Sequence, residues 1–191
     1  SLCSTHRSAG CIQLLSTKNG VYEGELDAKR NFSGYGVLRH ADFMYAGEWR
    51  CNKPHGDGVF FHTKMHMTYE GQWEAGKASG CGRLVIYQTD LADSADQYIY
   101  GKFQDGEYMR RTSIRARSDR AKSVEAVSNA RRAAAFAAAS TSNNMKTMLR
   151  QAAQHVLRHS QATCSPVIFS NNVPAVARRN SFETGYLRQL C

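Results

Sequence analysis

Two histidine pairs, six cysteines and a set of paired glycines are the residues of this chain with obvious chemical potential. His155 and His159 are four apart in a stretch of helical composition, so they share a face and offer two nitrogens to a zinc ion. They lack the intervening glutamate of a metalloprotease and any nearby third ligand, so they are read as a solvated helix face. His62 and His66 have the same spacing in a strand-like segment, where it does not converge side chains as a helix does. Cys3, Cys11, Cys51, Cys81, Cys164 and Cys191 show no Cys-x-x-Cys pair, and the chain is too long and too cysteine-poor to need a disulfide framework. Free thiols are the expectation. Cys51 and Cys81 have no recognisable serine, histidine and carboxylate set beside them. The glycine pairs do not end in Lys-Ser/Thr, and they recur where a nucleotide loop would occur once. No catalytic residue, cofactor site or metal ligand is assigned, and the chain reads as a non-enzyme.

The glycines instead belong to a repeat. Tyr22-Glu-Gly24-Glu-Leu26, Tyr45-Ala-Gly47-Glu-Trp49 and Tyr69-Glu-Gly71-Gln-Trp73 share one pattern, with an echo in Ile99-Tyr-Gly101-Lys-Phe103. Nine or ten residues on, the first three are followed by Gly34-Tyr-Gly36, Gly56-Asp-Gly58 and Gly80-Cys-Gly82. The leading glycines stand 23, 24 and 30 residues apart, a period typical of arrays whose units bury apolar surface only against their neighbours. Strand side chains alternate, so Tyr45, Gly47 and Trp49 share one face, as do Gly56, Gly58 and Phe60 on the next strand. Glycine there lets a neighbouring ring lie across the backbone. Asn52, Gly76 and Gly106 recur at one offset between the strands and tolerate the positive φ of a tight hairpin turn.

This pattern resembles the MORN repeat (membrane occupation and recognition nexus), Tyr-x-Gly-x-Trp, a turn, then Gly-x-Gly and an apolar residue, over about residues 20–109. Leu26 replaces the tryptophan in the first unit. The fourth has Ile99 for tyrosine and no following Gly-x-Gly, as expected of an atypical capping repeat. The fold class expected is a mainly β array of consecutive antiparallel hairpins with a helical and extended C-terminal tail. Its segments are an N-terminal extension (1–10), the array (11–109), basic Ala/Arg-rich helices (110–160) and an extended C-terminal arm (161–191).

Charge divides the chain. Residues 1–109 hold 11 Lys/Arg against 13 Asp/Glu, whereas residues 110–191 hold 14 against 3. Residues 114–139 contain no Gly or Pro and read as helix, with Thr112 or Ser113 as cap. A second helix over 145–159, capped by Asn143 or Asn144, places Met145, Met148, Leu149, Ala152 and Val156 on one face. An external partner is expected to cover that stripe; the alternative is a helix folded back on the hairpin sheet. Arg110, Arg111, Arg115, Arg117, Arg120, Lys122, Arg131 and Arg132 would meet an acidic partner surface such as tubulin, or anionic lipid. Only Phe136 is available there to stack on a base, which argues against sequence-specific nucleic-acid reading.

No apolar stretch approaches the length of a transmembrane helix. What the resemblance implies is a scaffold in cytoskeletal, ciliary or membrane-proximal structures. The chain is therefore expected to be a non-catalytic structural subunit of a large assembly, with a membrane-recruitment module for acidic phospholipids as the alternative. A cytoskeletal or axonemal location leads. The acid-free first 22 residues, with Arg7 and Lys18, are compatible with an import sequence and make the mitochondrion the alternative.

Overall fold

In a computed structural model of the chain, the residues described are 12–17, 20–87, 96–109 and 113–160. The expected N-terminal extension and C-terminal arm lie outside them. The strands are β1 (Gln13–Thr17), β2 (Gly20–Leu26), β3 (Phe32–Arg39), β4 (Phe43–Arg50), β5 (Lys53–His62), β6 (Met67–Glu74), β7 (Lys77–Ile86), β8 (Gln97–Gln104) and β9 (Glu107–Met109). They form one sheet in which spatial order equals chain order and every neighbour is antiparallel. Two helices follow, α1 (Ser113–Ala139) and α2 (Asn143–Ser160). The expected hairpin array with a helical tail is the observed fold.

The turns follow from local chemistry. At Cys51-Asn52, Ala75-Gly76 and Asp105-Gly106 both central residues have positive φ, the signature of the type I′ turn whose twist matches that of the flanking strands. Each turn also leans on the hairpin before it. Gly76 donates its amide to Pro54 O at 2.9 Å and Gly106 donates to Ala78 O at 2.9 Å, while Asn52 donates to Phe32 O at 3.1 Å.

One face of the sheet is built of rings on glycine. Gly47 pairs with Gly58 across β4 and β5, and a Cβ added at Gly58 would stand 2.3 Å from the hydroxyl oxygen of Tyr45. The same ring-on-glycine contact joins Tyr22 to Gly36 and Tyr69 to Gly82. Each of these phenols donates to a backbone carbonyl three residues on: Tyr22 to Glu25 (2.8 Å), Tyr45 to Glu48 (2.9 Å) and Tyr69 to Gln72 (3.1 Å). The indole of Trp49 donates to Gly36 O at 3.0 Å and that of Trp73 to Gly58 O at 3.1 Å, which locks each unit to the preceding one. In the first unit, where Leu26 stands for tryptophan, Phe32 stacks on Tyr22 with centroids 3.8 Å apart. In the last, Tyr108 of β9 lies against Gly101, and Phe103 packs on Tyr69. Tyr22, Tyr45, Trp49, Tyr69, Trp73 and Phe103, with Leu38, Phe43, Phe60 and Leu84, form one buried cluster against which Phe32 and Tyr108 pack.

Gly56 departs from the sequence expectation. It does not receive a ring. Its φ of 59° and the carboxylate of Glu48 beside it account for the glycine, and Glu48 Oε1 accepts the amide of Asp57 at 3.1 Å. Gly80 repeats this with Gln72, whose Oε1 accepts the Cys81 amide at 2.8 Å. The two glycines of each Gly-x-Gly therefore serve different purposes.

The other face is covered by the chain's own helices. Ser123, Ala126, Val127, Ala130, Ala133 and Ala137 of α1 are buried, at spacings of three and four. Their small side chains let the helix lie close to the strands. Ser123 Oγ donates to Gly101 O of β8 at 3.0 Å, Arg131 reaches Glu70 of β6, and Phe136 lies 5.7 Å from Tyr35 of β3. The helix thus crosses the strands against their order. Five strand spacings span about 24 Å, and the thirteen residues from Ser123 to Phe136 rise about 20 Å.

Two expectations are corrected here. Met145 and Leu149 of α2 are buried with Val37, Met44, Ala46 and Ala137, and Met148 packs against the same cluster. The chain's own sheet, not an external partner, supplies the apolar surface for this stripe. The side chains of Ala152 and Val156 lie outside the described residues. The two halves of the chain accordingly share a core. The cap of α2 is also Ser142, whose Oγ accepts the Met145 amide at 3.3 Å, in place of Asn143 or Asn144.

Candidate docking surface

The surface left for partners is defined by what the chain has already used. Glu70 sits on the helix-facing side of β6, buried, between two guanidinium groups. Arg83, its cross-strand partner on β7, donates Nε to Oε2 at 2.8 Å and pairs again through Nη2. Arg131 of α1 donates Nε to Oε1 at 2.8 Å. A lone carboxylate at this depth would be costly, and two charge-assisted donors offset the desolvation. The neighbouring carboxylate holds the Arg83 guanidinium protonated more firmly than usual, although burial acts in the opposite sense. A second carboxylate grips the helix junction. Glu23 of β2 accepts the Ser142 amide at 2.6 Å and its hydroxyl at 2.8 Å, placing negative charge at the N-terminus of α2 where the helix dipole favours it.

Among the cations expected to dock a partner, Arg131 is thus engaged within the chain. Arg120 lies over the Tyr100 ring, 5.4 Å from its centroid, and Arg132 donates to Asn129 Oδ1 at 2.8 Å. Arg117 and Lys122 are exposed, as is most of the outward side of α1, including Val124. Arg110, Arg111 and the side chain of Arg115 lie outside the described residues.

Two concavities flank the helical layer. A groove of about 530 Å³ runs between α1 and α2 over Val59 and Phe61, walled by Ala134, Ala138 and Leu149 and bordered by Arg131, Lys146 and Arg150. A second, of about 550 Å³, lies at the strand ends and is lined by His40, Phe43, His62, His66, Tyr87 and Met148. The second concavity gathers histidines that the sequence did not connect, because His40 comes from the preceding hairpin. Burial pushes the His62 imidazole toward its neutral form. Among the described residues no three His, Cys, Asp or Glu side chains are placed to hold a metal ion, and the side chains of His155 and His159 are outside them. Cys81 is a free thiol whose ionisation burial opposes. Cys51 is disulfide-bonded, so the expectation of free thiols fails there.

The fold is an open array of ring-on-glycine hairpins with a helical layer on one face. Comparison with known proteins agrees with that architecture. The family model described as MORN repeat matches residues 45–63 and 69–87, which are the second and third units of the array. MORN repeat-containing protein 3 of Xenopus laevis is 32% identical over 79 residues, covering 39% of this chain and 32% of that protein. The chain carries MORN repeats, and it spans about a third of the length of the curated relative it matches. The repeats point to a protein-interaction or membrane-associated role. No helix among the described residues is long and apolar enough to cross a membrane.

Proposed function

We propose that this chain is a non-catalytic scaffold subunit of a large protein assembly, in which the MORN array is a rigid support and the outward side of α1 is the docking surface. The observation that carries this reading is the occupation of both sheet faces by the chain's own side chains. One face is filled by tyrosine and tryptophan rings and most of the other is covered by α1 and α2. Binding then falls to the exposed helical surface, where Arg117, Lys122 and Arg132 favour an acidic protein partner. The cytoskeleton or ciliary axoneme is the proposed setting, with the mitochondrion as the alternative.

The same cations support a second reading, recruitment to anionic lipid. Charge reversal of Arg117, Lys122 and Arg132 together, with pull-down and vesicle sedimentation over a salt series, separates the two. Retention of a fixed set of proteins at high salt, lost in the triple variant, is the scaffold outcome. Binding to phosphatidylserine vesicles that disappears at high salt, without a stable protein set, is the membrane outcome.

A further inference from the structure

Resting on the scaffold reading, we propose that the groove between α1 and α2 is a peptide-docking site for an acidic segment of a partner protein that inserts one or two large apolar side chains. The groove lies where α1 and α2, joined through Thr141-Ser142, both pack on the sheet. This leaves Val59 and Phe61 as floor and alanine on the α1 side as a low wall. A volume of about 530 Å³ lies within the range of ligand-binding clefts, and the floor is apolar.

Charge selects the occupant. Lys146 and Arg150 stand on the α2 rim, and neither forms an ion pair within the described residues. The one carboxylate in the groove, Glu70, is saturated by Arg83 and Arg131 and so does not neutralise them. Arg150 and Lys146 are four apart on one helix, where like charges oppose each other until an anion arrives. An occupant with apolar anchors flanked by Asp or Glu meets floor and rim together.

The test uses the full chain and a displayed library of 16-residue peptides. The expected result is enrichment of peptides combining Asp/Glu with Leu, Phe, Met or Trp. Their affinity should fall about tenfold or more in Lys146→Glu/Arg150→Glu and in Ala139→Trp, which fills the groove from an exposed helix position. Changing the peptide's acids to lysine should restore binding to the Lys146→Glu/Arg150→Glu variant. Unchanged circular dichroism and melting establish that these variants fold. Enriched peptides indifferent to both variants overturn the groove assignment. If those peptides respond instead to reversal of Arg117, Lys122 and Arg132, the scaffold reading stands without the groove. Loss of phosphatidylserine-vesicle binding in the same groove variants, with no acidic peptide enriched, assigns the groove to lipid and overturns the proposal.

Discussion

The guanidinium of Arg131 on α1 meets the carboxylate of Glu70 on β6, Nε to Oε1 at 2.8 Å, and this pair ties the helical layer to the repeat array. The two partners are not equivalent. Glu70 is 5% exposed at its side chain and Arg131 is 49% exposed. Removing Arg131 leaves Glu70 with Arg83, so Arg131→Ala should cost about 1 kcal/mol or less. Removing Glu70 strands Arg83, whose side chain is 10% exposed, so Glu70→Ala should cost about 3–5 kcal/mol. Urea denaturation of both variants checks the asymmetry. Equal costs would mean that Arg131 and not Arg83 carries the compensation.

The repeat glycines give a graded series. At Gly58 an added Cβ meets the Tyr45 ring, whereas at Gly71 it meets β7 backbone first, 2.6 Å from the Gly82 Cα. Gly58→Val should cost on the order of 1–3 kcal/mol. Gly71→Val should cost more, since it meets paired backbone where Gly58→Val meets a side chain first. A thermal melt of each variant decides the order. An unchanged melting temperature for Gly58→Val would remove the ring-on-glycine account of the fold.

The α2 helix should be ordered without a partner, at least over its first turns. Met145 is 3% exposed and Leu149 8%, both against the helix-facing side of the sheet. Met145→Asp should therefore destabilise the isolated chain, by an amount in the upper range for burying an unpaired charge, about 3 kcal/mol or more. Ser142→Ala, which removes a cap and one of the two bonds to Glu23, should cost about 1 kcal/mol. Hydrogen exchange of the free chain provides the measurement. Rapid exchange at residues 145–149 in the wild type would return the helix to the role of a partner-dependent arm.

The sequence made the array legible because its signal is periodic and local. Tyr45, Gly47 and Trp49 announce a strand face, and Asn52 or Gly76 announces the turn, without reference to anything distant. The helical layer was legible as helix but not as part of the core. Ala126, Ala130, Ala133 and Ala137 have too little apolar area to mark a buried face, and their value is close approach to the sheet. The ionic joints were hidden for a related reason. Glu70 and Arg131 are 61 residues apart and Glu23 and Ser142 are 119 apart, so no spacing rule connects them. Even within the repeat, Gly56 and Gly58 look equivalent in sequence. Only the φ of 59° and the nearby Glu48 separate their purposes.

The buried phenols make the fold sensitive to alkali. Burial lifts the phenols of Tyr22, Tyr45 and Tyr69 well above the ordinary tyrosine value of 10.0, and nearby carboxylates reinforce the shift at Tyr22 and Tyr45. Tyr87 is pushed up to about 12 for the same first reason. The folded chain holds these protons where the unfolded chain releases them. Their contribution to stability is therefore complete below about pH 10 and declines above it. Three strongly shifted groups give a slope of up to about 4 kcal/mol per pH unit, enough to unfold a domain of ordinary stability within a few pH units. Phenolate absorbance and circular dichroism, followed together on raising the pH, should change in one cooperative step for these three rings. Tyr45→Phe should reduce the slope by the share of one group, although loss of the bond to Glu48 O lowers stability at neutral pH. Gradual phenolate formation by all three tyrosines near pH 10, with the circular dichroism unchanged, would show that the rings are not sealed against their glycines.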